Sequence, residues 1–186
     1  MFIQMNELMT VDFPASLVSI NTKQFCNCTK LFSVSVSESN PNFSSEDGVL
    51  FDKKKTHILH YPFAKSGEYK IPDGVTEIQD GAFFRHAELT SITLPATITR
   101  IGLSAFEKCT KLKSVELPQN LEEISCYAFY NCKKLERINL EGVKVIGEGA
   151  FGETLISTSN KAALNSPEAP IKSAEKYPKE REYHSF

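Results

Sequence analysis

Residues 89–111, LTSITLPATITRIGLSAFEKCTK, are followed directly by residues 112–134, LKSVELPQNLEEISCYAFYNCKK, and these two stretches decide the fold. A third copy, LERINLEGVKVIGEGAFGET, begins at residue 135 and is one residue shorter. An internal period of 23 residues is typical of stacked structural repeats, because one such unit cannot bury its apolar face alone. The period therefore predicts a solenoid with one coil per copy.

The apolar residues recur at fixed positions of the period, which we call columns. The pattern L-x-x-V-x-L predicts a short strand that stacks about 4.8 Å from its equivalent in the next copy, as a parallel ladder. The Ala-Phe pairs predict turns or helical turns on the opposite side, with the phenylalanine rings stacked. Inward columns are Leu89, Leu112 and Leu135; Ile92, Val115 and Ile138; Leu94, Leu117 and Leu140; Ile98, Leu121 and Val143; Ile101, Ile124 and Ile146; Phe83, Phe106, Phe129 and Phe151.

The same phase extends to the start of the chain, with one interruption. Phe25 and Phe83 are 58 residues apart, which is one period with an excess of 35 residues. Within this excess, apolar runs flank the turn-prone sequence DKKKT, which predicts a β-hairpin insert at about residues 37–70. The repeat domain is thus predicted to cover residues 1–156.

The two ends of the chain carry weaker patterns. Residues 157–186 contain three prolines and many Ser, Lys and Glu residues without an apolar period, which predicts a disordered tail that contributes little to stability. The first copy begins in mid-repeat without polar capping. This start predicts either a fragment of a longer array or a first coil that is frayed or covered by a partner.

Composition narrows the possible partners. A net charge of −2 with 24% charged residues of both signs gives no global attraction to nucleic acid or anionic membranes. The chain has no run of 18 apolar residues and no secretory signal at its amino terminus, so direct membrane insertion is not expected. Five cysteines leave at least one thiol without a partner in the chain.

No catalytic, cofactor or metal site is predicted from sequence motifs. Cys28, Cys109 and Cys132 share one column and are interpreted as buried apolar plugs, since cysteine is among the most buried residue types. His57 and His60 have no carboxylate pattern nearby and are expected to be solvated or packed.

The outward positions of the strands are free of packing demands and could form a recognition face or a solvated sheet. They start with small hydroxyl residues and end with charged ones, and solenoid concavities are frequent binding surfaces. The candidate binding face comprises Ser91, Thr93, Lys113, Ser114, Glu116, Arg137 and Asn139.

The motifs LPATITRIGLSAFEKCTKL and LPQNLEEISCYAFYNCKKL resemble the BspA-like (Treponema-type) leucine-rich repeat, over about residues 2–155. His86 and Thr154 depart from the family pattern, because they replace the column cysteine. The resemblance implies a right-handed leucine-rich-repeat solenoid without catalytic residues. It also implies a surface-exposed adhesion or recognition protein that binds host or extracellular-matrix proteins. An intracellular scaffold and a truncated copy of a longer array are the alternatives.

Overall fold

The computed structural model describes residues 5–156 and 171–172, which fold as a β-solenoid of about six turns. Short strands alternate with turns, and Thr22–Phe25 forms a 3-10 helix. The strands are β1 (Thr10–Phe13), β2 (Ser33–Val36), β3 (Phe43–Glu46), β4 (Val49–Asp52), β5 (His57–His60), β6 (Gly67–Lys70), β7 (Glu77–Ile78), β8 (Leu89–Thr93), β9 (Arg100–Ile101), β10 (Val115–Glu116), β11 (Glu123–Ile124), β12 (Val145–Gly147) and β13 (Ile171–Lys172).

Two parallel ladders run through the coils. The repeat ladder contains β6, β8 and β10, while β1 and β2 pair separately in the first coils. The second ladder contains β5, β7, β9, β11, β12 and β13. Its register follows the period, since Ile124 is paired with Ile101. The predicted stacking of parallel strands is confirmed.

The phenylalanine column forms the centre of the main core. The ring centroids of Phe83 and Phe106 are 4.9 Å apart, those of Phe106 and Phe129 are 5.0 Å apart, and those of Phe129 and Phe151 are 5.4 Å apart. All four rings are buried. The prediction that they stack on one side of the solenoid is confirmed, and the burial of these apolar rings favours folding.

The segments that contain the Ala-Phe pairs form turns, and backbone hydrogen bonds join them from coil to coil. Phe106 N–H donates to the carbonyl of Ala128 at 2.7 Å, and equivalent bonds follow two residues before and two residues after it. The flanking residues Ser104 and Lys108 have positive φ angles of 53° and 64°, which allows the chain to reverse its curvature on either side of the phenylalanine. We call this surface the Ala-Phe wall.

The predicted hairpin is present in the insert. Strands β4 and β5 are antiparallel and flank DKKKT, and β3 adds to the other edge of β4. Asp47 and Gly48 join β3 to β4 with φ angles of 50° and 75°, as a two-residue type I′ turn requires. Strand β5 then pairs in parallel with β7, so the hairpin continues directly into the second ladder.

Tyr61 shows that the insert also contributes a coil. Its N–H donates to the carbonyl of Ala82 at 2.9 Å, as Phe83 N–H does to Ala105 at 2.8 Å. The Tyr61 ring stacks on Phe83 with centroids 5.0 Å apart. The 58-residue interval from Phe25 to Phe83 therefore divides into steps of 36 and 22 residues. The sequence pattern concealed this coil, because its aromatic residue is a tyrosine preceded by histidine.

Residues 157–170 and 173–186 lie outside the described residues, so their predicted disorder stays a prediction. Between them, β13 pairs with β12 and places Ile171 beside Ile146.

Candidate binding face

The repeat ladder brings the seven candidate residues onto neighbouring coils. Thr93 is paired with Glu116, and Ser114 is paired with Arg137. Lys113 lies in the same ladder, since its N–H donates to the carbonyl of Thr90 at 3.4 Å. All seven side chains are exposed except that of Ser91, which is half-buried.

The charged side chains of this face have no partners of opposite charge within residues 5–156. Six charged residues lie on the outward face of the repeat ladder, on β6 and on the two coils that follow β8. None of their side chains makes an ion pair within 4.0 Å with a described residue. Asn139, the uncharged residue at the end of the face, does have a partner. Its side-chain oxygen accepts a hydrogen bond from the N–H of Glu141 at 3.1 Å. The charged residues concerned are Glu68, Lys70, Lys113, Glu116, Glu136 and Arg137.

The second ladder has the opposite character, because its charges pair with one another. Arg100 ion-pairs with Glu77, and its guanidinium lies 3.5 Å from Asp80 and 3.8 Å from Glu123. Burial lowers the pKa of Arg100, but the neighbouring carboxylates, Glu77 foremost, outweigh that effect and raise the pKa. Arg100 also donates to the Ser125 hydroxyl at 3.2 Å. This network holds three successive coils together.

His57 extends this network, with two neighbouring carboxylates that the sequence did not indicate. Its Nδ1 lies 3.5 Å from Asp52, and its Nε2 lies 3.5 Å from Glu77. Burial raises the pKa of Asp52, but hydrogen bonds from the His57 N–H and the Thr56 hydroxyl lower it below its ordinary value. The two carboxylates were not recognised because one belongs to the preceding hairpin strand and the other to the next coil.

Glu77, Arg100 and Glu123 form what we call the ionic row, and one sequence signal could have revealed it. Glu77, Arg100 and Glu123 are spaced by 23 residues, and they are neighbours in the ladder register. Opposite charges at directly opposed ladder positions stabilise neighbouring strands. A search of the period for charged columns, as well as apolar ones, would have found them.

The column cysteines are buried as predicted. The thiol of Cys109 donates to the Phe83 carbonyl at 3.2 Å, and that of Cys132 donates to the Phe106 carbonyl at 3.1 Å. His86 fills the same column, with its Nε2 2.7 Å from the Tyr61 carbonyl. Because a carbonyl only accepts, this nitrogen carries the proton. The cysteines at residues 26, 28, 109, 126 and 132 are all free thiols.

His60 and His86 lie in the interior and link the two apolar clusters of the molecule. His60 stacks on Phe25 at 4.8 Å, and His86 stacks on Phe63 at 5.0 Å. Burial lowers the pKa of His60 to about 3, with the nearby His86 adding to the effect, and burial lowers the pKa of His86 to about 4. His60 Nε2 and His86 Nδ1 have no hydrogen-bond partner among the described residues. Both rings are therefore neutral packing elements at neutral pH.

The described residues offer no group of three or more His, Cys, Asp or Glu side chains suited to a metal ion. They also contain no helix with the length and apolar character needed to cross a bilayer. The arrangement that is present is an extended polar face, whose charges have no ion-pair partners in the part of the chain that the structure describes.

A solenoid of stacked coils with an exposed strand ladder defines a repeat protein of the leucine-rich class. The family model for the BspA type leucine rich repeat region matches residues 1–62 and 56–165, with six copies. The chain belongs to this family, whose repeats are generally protein-interaction modules without enzymatic activity. No curated protein matches the sequence.

Solved bacterial proteins share the fold. The pneumococcal vaccine antigen PcpA is 30% identical with a TM-score of 0.67, over 76% of this chain and 39% of that one. A leucine rich cell surface protein from Faecalibacterium prausnitzii is 25% identical with a TM-score of 0.59, over 84% of this chain and 50% of that one. A leucine-rich repeat protein from Bacteroides ovatus is 25% identical with a TM-score of 0.55, over 82% and 43%. The chain thus spans half or less of each of these relatives.

Proposed function

We propose that this chain is a non-enzymatic recognition module of a cell-surface adhesion protein, and that it binds a protein ligand through the outward face of the repeat ladder. A host or extracellular-matrix protein is the class of ligand that the family resemblance favours. Two of the similar structures are described as a vaccine antigen and a cell surface protein, which supports surface display.

The observation that carries the proposal is the contrast between the two ladders. Arg100 and Glu77 of the second ladder neutralise each other within the fold, whereas Glu116 and Arg137 of the repeat ladder have no ion-pair partner among the described residues. A charge that is paired within the fold attracts a ligand only weakly. Unpaired charges at fixed positions can select a partner by complementarity and can accelerate its association.

An intracellular scaffold that uses the same face is the second candidate. The five free thiols are what a reducing compartment would maintain. Treating intact cells with a protease that cannot enter them separates the two candidates. Digestion of the chain on intact cells supports surface display, and protection until lysis supports the scaffold.

The binding face itself is tested with a double variant, Glu116→Ala with Arg137→Ala. The ligand is first recovered from matrix extracts on the immobilised wild-type chain, identified by mass spectrometry, and then titrated against each variant. We expect binding at least several-fold weaker with an unchanged unfolding midpoint, because truncating a binding hot spot costs about 2 kcal/mol or more while exposed substitutions cost about 0.5 kcal/mol.

The matched control is Glu38→Ala with Lys54→Ala, which removes one acid and one base from exposed positions away from the ladder. It should bind like the wild type. Unchanged binding by the Glu116 and Arg137 variant would contradict the proposed face and direct attention to the hairpin around Lys53 to His60.

A further inference from the structure

Three stacked segments, residues 85–91, 108–114 and 131–137, form what we call the basic strip. The chain as a whole has a net charge of −2, yet these segments contain only two carboxylates, Glu88 and Glu136. Their cationic side chains are Arg85, Lys108, Lys111, Lys113, Lys133, Lys134 and Arg137.

The period places these segments side by side. Lys111 reaches back to Glu88, with Nζ 2.6 Å from the carboxylate of the preceding coil. Glu136 N–H donates to the Lys113 carbonyl at 3.2 Å, which fixes the register of the next coil. Lys134 therefore occupies the position of Lys111 one coil later, about 5 Å away along the solenoid axis.

Elsewhere the same kind of neighbours carry opposite charges. Glu7 and Lys30 are joined at 2.6 Å across adjacent coils, and so are Glu122 and Lys144. One coil after Lys111, the same column carries Lys134, which is a second lysine rather than an acid. Like charges at neighbouring ladder positions repel, so this arrangement does not stabilise the fold.

Most of these cations remain available to a ligand. Lys113, Lys133, Lys134 and Arg137 are exposed, and none of them makes an ion pair with a described residue. Four cations on two adjacent coils, without ion-pair partners among the described residues, form a local positive field on an otherwise acidic chain. Such a field attracts a ligand that carries several anionic groups in series.

We propose that the basic strip binds a sulfated polysaccharide, with sulfate groups lying along Lys113, Lys133 and Lys134. Sulfates are permanently ionised and repeat along a linear chain, which matches lysines that repeat along successive coils. The strip has no aromatic side chain other than the buried His86, and so lacks the stacking surface that single-stranded nucleic acids use. The inference does not depend on the proposed protein ligand, although Lys113 and Arg137 belong to both surfaces.

The test measures retention on immobilised heparin over a salt gradient, followed by titration with soluble heparin. The variant carries Lys133→Gln and Lys134→Gln, which leaves the candidate binding face intact. The control carries Lys53→Gln and Lys54→Gln, which changes the net charge equally at exposed positions of the hairpin. Circular dichroism and the unfolding midpoint confirm that both variants are folded.

We expect the wild type and the control to bind heparin alike, and the strip variant to bind at least tenfold more weakly. The slope of log affinity against log salt should fall by about two, by analogy with the ~0.9 per phosphate measured for duplex DNA. Failure of the wild type to bind heparin, or equal binding by both double variants, would overturn the proposal. Hyaluronate, which carries only carboxylates, and duplex DNA are the comparison ligands. Binding of either as tight as that of heparin would also overturn the assignment to sulfated chains.

Discussion

The rings of Phe106 and Phe129 stack face to face, with centroids 5.0 Å apart and planes inclined by only 7°. Phe106 is fully buried and also stacks on Phe83. We expect Phe106→Ala to lower the free energy of unfolding by about 3–5 kcal/mol, because the cavity disrupts the stack in both directions. Urea denaturation followed by circular dichroism measures the change.

The control for this prediction is Phe32→Ala. Phe32 is 49% exposed, so its truncation should change stability by about 1 kcal/mol or less. Equal effects of the two substitutions would show that the column does not carry the core.

Gly147 lies against the preceding coil with no space for a side chain. A Cβ at Gly147 would be 2.2 Å from the backbone nitrogen of Cys126, and backbone atoms cannot rotate away. We expect Gly147→Ala to destabilise the protein by about 3 kcal/mol, at the upper end of overpacking effects. Thermal unfolding and urea titration report the loss.

Gly74→Ala separates this clash from conformational strain. Gly74 has a φ of +94° but no atom within 4 Å of the added Cβ, so its substitution should cost about 1–2 kcal/mol through backbone strain alone. A larger loss at Gly74 than at Gly147 would contradict the close approach of the coils.

The buried histidines predict a loss of stability in acid. The unfolded chain takes up protons near pH 6.5, whereas folded His86 and His60 resist protonation down to about pH 4 and pH 3. Between pH 6.5 and these lower pKa values, the unfolded state binds more protons than the folded state does. Stability therefore falls with decreasing pH, by up to about 1.4 kcal/mol per pH unit for each histidine.

Urea titrations of His60→Leu and the wild type at intervals from pH 8 to pH 4 test this dependence. The variant should show a slope shallower by about 1.4 kcal/mol per unit below pH 6, and the two slopes should coincide above pH 7.5. Parallel curves over the whole range would mean that His60 is protonated in the folded protein.

The ionic row of the second ladder predicts a structural role without a role in binding. Arg100→Met leaves Glu77 and Glu123 without their shared partner, and we expect a loss of about 1–2 kcal/mol, discounted because Arg100 is 27% exposed. The loss should shrink in about 1 M salt, where charges are screened. Ligand binding should remain unchanged in the folded variant.

Arg137→Met provides the comparison, since Arg137 has no ion-pair partner among the described residues. Its stability should change by about 0.5 kcal/mol or less. If Arg137→Met destabilised the protein more than Arg100→Met, the contrast between the two ladders would be wrong.

The sequence predicted the fold well where one residue type repeats. Phe106 and Phe129 could be placed from the period alone, because packing allows few alternatives at a buried ring. Tyr61 could not, since its coil departs from the Ala-Phe pattern and its length differs from 23 residues. The Asp47-Gly48 dipeptide is typical of a two-residue hairpin turn, which the apolar pattern by itself does not indicate.

The candidate face was predictable only in part. Alternation along the strand identified Glu116 and Arg137 as outward residues, and the structure places both on the exposed face. Which charges find partners depends on neighbours across coils, as the pairing of His57 with Glu77 illustrates. That information belongs to three-dimensional register and is not contained in the local pattern.

The Ala-Phe wall also has an electrical consequence. The Ser104, Phe106 and Lys108 N–H groups all donate toward the next coil, so three peptide groups in each coil point the same way. Each peptide carries a dipole of about 3.5 D, and these dipoles add along the solenoid axis. The wall therefore has a net dipole along the solenoid axis. Its positive end lies at the coil that contains Phe151, beside the exposed carboxylate of Glu153.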